Sequence, residues 1–214
     1  MTNRLEIKVC GITQLAQVHL LCDLGVHYAG FIFYKPSPRC VKGHIKAEDL
    51  KAVRGIKKVG VFVNEPPEKI FQTIEAFGLE LIQLHGEESP EFCAALSTKI
   101  PVIKAFGVDE TTDLKKLLTP YRHVTNQFLI DTKVKEYGGS GRKFNWELLQ
   151  GISHEKPVIL SGGISPNDAQ LILDFVVNNP SIPIHTIDIN SRFETQPGIK
   201  NMSLVQDFMQ DLSV

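Results

Sequence analysis

Ala29-Gly30-Phe31-Ile32-Phe33 is the stretch whose reading decides the fold. It carries no charge, and no polar residue alternates with its apolar ones, so both faces of the segment ask for cover. That pattern suits a parallel strand covered by helices; a strand with one wet face would alternate. Lys35-Pro36-Ser37-Pro38 follows, and its prolines end any pairing.

Working outward, the run extends to Tyr28 to Phe33 and has seven counterparts: Ile7 to Val9, Lys58 to Val63, Leu81 to Leu84, Val102 to Phe106, Gln127 to Ile130, Val158 to Leu160 and His185 to Ile189. Between them lie stretches of helical period: Leu15 to Leu24, Ala47 to Val53, Pro67 to Phe77, Pro90 to Leu96, Thr112 to Leu118, Trp146 to Ile152, Pro166 to Val177 and a closing Leu204 to Leu212. Eight strand–helix units predict an α/β fold, a closed (β/α)8 or TIM barrel forming one domain over residues 1–214. An open doubly wound sheet is the alternative.

With 214 residues and 43% hydrophobic content the chain can bury a full core. Lys plus Arg is 23 against 24 for Asp plus Glu, and a net charge of −1 offers nothing to nucleic acid or an anionic membrane. The start, Met-Thr-Asn-Arg-Leu-Glu, has no apolar leader, and no run approaches the roughly 18 apolar residues of a membrane span. The expectation is a cytoplasmic protein, monomer or homodimer, whose partners are small molecules. Cys10, Cys22, Cys40 and Cys93 form neither a disulfide framework nor a CxxC pair, so no structural metal or redox motif follows.

In such a barrel the chemistry sits in the loops after the strands. Lys8-Val9-Cys10-Gly11-Ile12-Thr13 puts a thiol at the first of these, with Gly11 allowing close approach and Thr13 as N-cap of the following helix. The plainer reading of Cys10 is a small buried hydrophobe. Residue i+2 shares a strand face, so Lys8 lies inward of Cys10 at roughly 6.6 Å, where its charge favours thiolate. Asp188 is expected on the facing side of the last strand, within about 4 Å of Lys8 as an ion pair. His85 ends the fourth strand, placed to hydrogen-bond a ligand or a neighbouring backbone group. Asp131 follows the sixth.

Two loops suit a phosphate. Gly162-Gly163 lets backbone N–H groups approach, and Asn190-Ser191-Arg192 adds a hydroxyl and a charge; the plainer reading of the glycines is a tight turn. Gly138-Gly139-Ser140-Gly141 lies in a long segment from Asp131 to Phe144, expected to act as a lid. The remaining histidines show no metal-ligand spacing, and Phe71 and Phe77 read as core.

Lys8 to Thr13, Gly30 to Phe33, Ser37-Pro38-Arg39, Gln83-Leu84-His85-Gly86, Leu129-Ile130-Asp131, Gly138 to Gly141, Leu160 to Gly163 and Pro197-Gly198-Ile199-Lys200 together resemble the signature blocks of the phosphoribosylanthranilate isomerases of tryptophan biosynthesis. The likeness runs from residue 8 to about 200. It implies an Amadori rearrangement of N-(5-phosphoribosyl)anthranilate, a phosphorylated aminosugar, with no cofactor and no metal. It implies Cys10 as general base and Asp131 as general acid. Arg39 is expected on the anthranilate carboxylate, and His85, Gly139, Gly141, Gly162, Gly163, Ser191 and Arg192 among the substrate-binding residues. Arg192 departs from the small residue many members carry there, so the likeness supports Ser191 more firmly. Two other readings stay open: another sugar-phosphate barrel enzyme, an epimerase or aldolase, and a phosphate-ligand sensor without activity.

Overall fold

The computed structural model describes residues 5–132, 146–152 and 156–212. Eight strands, β1 Glu6–Cys10, β2 Tyr28–Ile32, β3 Lys57–Phe62, β4 Leu81–Leu84, β5 Val102–Val108, β6 Gln127–Thr132, β7 Val158–Ser161 and β8 Ile184–Ile189, form one closed barrel. Every neighbouring pair is parallel, and β8 returns to β1 with Lys8 opposite Asp188. Closure excludes the open sheet. The outer layer holds α1 Leu15–Asp23, α2 Ala47–Ala52, α3 Pro67–Phe77, α4 Pro90–Ser97, α5 Leu114–Leu118, α6 Ala169–Asn178 and α7 Met202–Asp211.

Strand alternation splits the apolar residues into two compartments. One lies between barrel and helices, built from outward residues such as Val9, Phe31, Ile82 and Ile130 against helix residues such as Leu21, Ile70 and Val205. The other, Tyr28, Val59, Ile103, Ala105, Leu129 and Ile159, plugs the barrel's interior. Full burial of each large side chain contributes about 1.5–3 kcal/mol. The plug forms a floor above which polar inward residues can collect.

Several expectations are corrected. β5, β6 and β7 run beyond their expected ends, so Asp131 and Ser161 stand within strands and Cys10 closes β1. These side chains are held by ladder geometry instead of by loops. Thr13 is not the N-cap of α1; Gln14 takes that position without a side-chain bond, and Thr13 Oγ1 donates to Gly198 O at 2.8 Å. The expected helix at Trp146 is a 3₁₀ helix over Trp146–Gly151, and Pro166–Asp168 is a 3₁₀ turn leading into α6. Phe71 is 37% exposed, because α3 turns Ile70 into the core and the next residue lies about 100° away around the helix. Phe77 does pack edge-on against Phe33.

A two-stranded hairpin, β9 Glu194–Gln196 and β10 Ile199–Lys200, follows β8 and was not anticipated. It docks on the segment after β1: Gln17 Nε2 donates to Lys200 O at 2.7 Å and Gln17 Oε1 accepts from Lys200 N at 2.9 Å. Its turn needs Gly198, at φ 87°, where a Cβ would lie 2.6 Å from Thr13 Oγ1.

Candidate active site

Inward residues at the carboxyl ends of the strands line a cavity of about 180 Å3. Cys10 from β1, His85 after β4, Asp131 from β6, Ser161 from β7 with Gly162 and Gly163 behind it, and Asp188 and Ser191 from β8 and its loop all reach it. A larger cleft of about 660 Å3 opens at the opposite end, around Glu6, His27, Lys57 and Glu80. The smaller cavity is the candidate site, because it lies at the end of the barrel where the strands deliver their loops.

Lys8 is fully buried under Cys10, and its Nζ donates to Asp188 Oδ1 at 2.9 Å, the expected ion pair. Asp188 Oδ2 accepts from Ser161 Oγ at 3.3 Å. Burial pulls the Lys8 ammonium down, but Asp188 and Cys10 outweigh it and hold the group above its ordinary value. The expected thiolate is corrected. Burial pushes the Cys10 thiol up, Lys8 and Lys200 pull it down, Asp188 pushes it up again, and the net shift is upward. Lys8 does face Cys10 and its charge favours the thiolate, but burial, the largest cause, outweighs it.

Gln83 on β4 and His85 just after it, two residues apart, both line the cavity. Gln83 Nε2 lies 2.9 Å from His85 Nδ1, and His85 Nε2 lies 3.4 Å from Asp131 Oδ2. An amide nitrogen only donates, so Nδ1 accepts and the proton of a neutral ring sits on Nε2, toward Asp131. Turning the amide over would bury two unpaired N–H groups in place of one carbonyl oxygen, Gln83 Oε1, which has no hydrogen-bond partner among the described residues.

Gly162 and Gly163 adopt φ of 93° and 63°, left-handed values that a side chain resists. This turn and Ser191, from the loops after the neighbouring strands β7 and β8, both line the cavity. Arg192 is exposed and not among the cavity's lining. Gly139, Gly141 and the expected lid lie outside the described residues.

Arg39 does not stand free. Its Nε reaches both oxygens of Glu194 at 2.9 and 3.0 Å, and its Nη2 reaches Oε2 at 2.7 Å. Glu194 Oε1 also accepts from Lys200 Nζ at 2.7 Å. Glu194 was missed from the sequence, and Gln83 and Lys200 entered only within the signature blocks, with no role assigned to either. Gln83 carried a usable signal, its i+2 spacing from His85; the hairpin residues carried none, because their proximity to Arg39 exists only after the barrel closes. Among the described residues no group of three His, Cys, Asp or Glu is arranged to hold a metal ion, and no helix is long and apolar enough to cross a membrane.

A family model for N-(5'-phosphoribosyl)anthranilate isomerase matches residues 7–211. The chain is 38% identical over 210 residues to the N-(5'-phosphoribosyl)anthranilate isomerase of Parabacteroides distasonis, covering 96% of this chain and 92% of the relative. It is 38% identical to that of Thermotoga neapolitana, over 96% and 97% of the two chains. Among solved structures, the phosphoribosyl anthranilate isomerase of Thermotoga maritima superposes with a TM-score of 0.82 at 34% identity, covering 97% and 98%. Another, solved with reduced 1-(o-carboxyphenylamino)-1-deoxyribulose 5-phosphate, superposes at 0.80 with 31% identity, over 97% and 98%.

Proposed function

The chain belongs to the N-(5'-phosphoribosyl)anthranilate isomerase family, and from that premise we propose that its barrel mouth carries out the family's Amadori rearrangement in tryptophan biosynthesis. The substrate is the phosphorylated aminosugar N-(5'-phosphoribosyl)anthranilate, and the protein works in the cytoplasm as a monomer or homodimer. Asp131 gives a proton to the ring oxygen; the C1–O bond breaks and the nitrogen lone pair forms the iminium. Cys10 removes the C2 proton, and those electrons neutralise the iminium to an enolamine. Gain of a proton at C1 and loss of one from the C2 hydroxyl then gives the 1-(2-carboxyphenylamino)-1-deoxyribulose 5-phosphate. One acid and one base suffice, and no cofactor enters the balance.

The observation that carries this reading is that Cys10 and Asp131, from β1 and β6, line one cavity beside Gly162, Gly163 and Ser191. The glycine turn and Ser191 take the phosphate, and Arg39 the anthranilate carboxylate through the guanidinium edge that Glu194 leaves open. His85 orients Asp131. Gly139 and Gly141 stand as further substrate contacts by resemblance, and Arg192, whose side chain is exposed, offers the phosphate its backbone N–H. The test is turnover of N-(5'-phosphoribosyl)anthranilate by the purified protein and by Cys10→Ser and Asp131→Asn. Each substitution lowers kcat by about 10² to 10⁴ with substrate affinity within about tenfold. Both variants keeping half of the activity overturns the assignment.

A further inference from the structure

We infer that Lys200 determines selectivity for a carboxylated aryl group: its buried ammonium neutralises Glu194, so that Arg39, which Glu194 holds in place, still shows a net positive charge to the substrate. This rests on the reading that Arg39 takes the arylcarboxylate.

Glu194 is a saturated acceptor. Oε1 receives Arg39 Nε, Lys200 Nζ and, at 3.1 Å, the backbone N–H of Gly198; Oε2 receives Arg39 Nε and Nη2. Its side chain is 4% exposed, and despite burial the two cations hold its carboxyl below the ordinary value. A carboxylate so bonded has no reason to leave. If it acted alone, a bidentate Glu194 would cancel Arg39, and an anionic ligand would find a neutral pair.

Lys200 changes that sum. Its side chain is wholly buried, and Nζ meets Glu194 Oε1 at 2.7 Å, Asn190 Oδ1 at 2.7 Å and Asn190 O at 3.2 Å, three acceptors for three donors. Two cations and one anion, 2 − 1, leave the cluster at +1. A cluster serving structure alone gains nothing from an odd buried cation, whose desolvation is a cost. Here the surplus lies at the mouth beside Cys10. The Arg39 side chain is 21% exposed, and a Cβ on Gly11, the residue after the thiol, would lie 2.8 Å from Arg39 Cδ and 2.9 Å from Asn190 Oδ1. Glycine at that position lets the Arg39 stem and Asn190 close over the backbone.

Calorimetric binding of two inert ligands tests the proposal: the reduced 1-(o-carboxyphenylamino)-1-deoxyribulose 5-phosphate, and the same molecule with an unsubstituted phenyl ring. The ratio of their dissociation constants measures the carboxylate alone. In the wild type the carboxylated ligand binds about tenfold or more tightly. Arg39→Ala brings the ratio near one; a ratio unchanged there refutes the Arg39 reading itself. With that reading standing, Lys200→Met lowers the ratio to about threefold or less, while the phenyl ligand binds within about twofold of wild type. An unchanged ratio, or an equal loss for both ligands, overturns the inference, the latter marking a structural role. Lys200→Gln, neutral but still able to donate to Glu194, gives the same two readings if the methionine variant does not fold.

Discussion

His85 presents Nε2 to Asp131 Oδ2 at 3.4 Å, across the width of β5, while Gln83 holds the other ring nitrogen at 2.9 Å. The amide thereby selects which nitrogen carries the proton and which atom faces the proposed acid. A polar contact that steadies the acid in the transition state by about 1.4–2.7 kcal/mol is worth about 10- to 100-fold in rate. His85→Leu and Gln83→Leu are therefore both expected to lower kcat, His85→Leu the more, with KM changed little. Steady-state kinetics on both variants checks this; a normal kcat in His85→Leu removes the imidazole from the acid's support.

Lys8 and Asp188 bond at 2.9 Å with side chains 0% and 5% exposed. Removing one partner strands the other charge inside the barrel, a loss of about 3–5 kcal/mol, whereas exchanging both for apolar groups of similar size is far milder. Urea unfolding should rank Lys8→Met well below the wild type and the Lys8→Met, Asp188→Leu double variant above the single one. A single variant as stable as wild type contradicts the buried pair.

Gly30 pairs with Cys10 across β1 and β2, and a Cβ there would lie 2.7 Å from Cys10 Sγ and 3.0 Å from Cys10 Cα. The second contact is backbone and cannot swing aside. Gly30→Ala is expected to cost about 1–3 kcal/mol by overpacking and to displace the thiol, so kcat falls more than thermal stability suggests. Measuring both on one preparation separates the effects.

The Arg39 and Lys200 contacts hold the Glu194 carboxyl below its ordinary value of 4.5 in the folded protein. A lowered folded value means stability that is present above the unfolded value and lost as pH falls through the folded one. Glu194→Gln should accordingly be less stable than wild type near neutrality, and the gap should narrow as pH drops below about 4.5. Denaturation midpoints across that range decide it; a gap that widens toward acid reverses the sign.

The sequence by itself determined the parts that depend on local period and composition. The doubly apolar strands such as Ala29 to Phe33 called for parallel pairing, and their eightfold alternation with helices led to the closed barrel. Strand parity also predicted the Lys8 and Asp188 pair, since both point inward and stand opposite one another on neighbouring strands. Cys10, His85, Asp131, Gly162 and Ser191 were legible because a barrel sends every strand end to one mouth.

Tertiary structure alone decided what depends on distant chain segments meeting. Thr13 gave up capping because Gly198, far along the chain, offered its carbonyl at 2.8 Å. The Cys10 thiol moved up instead of down, since burial, a property of the whole barrel, outweighs the Lys8 charge. Arg39 found Glu194 only after β8 closed on β1 and the hairpin folded back over the mouth. Spacing along a strand is written in the sequence; desolvation and the net charge of a cluster are sums over neighbours, and the neighbours exist only in the folded barrel.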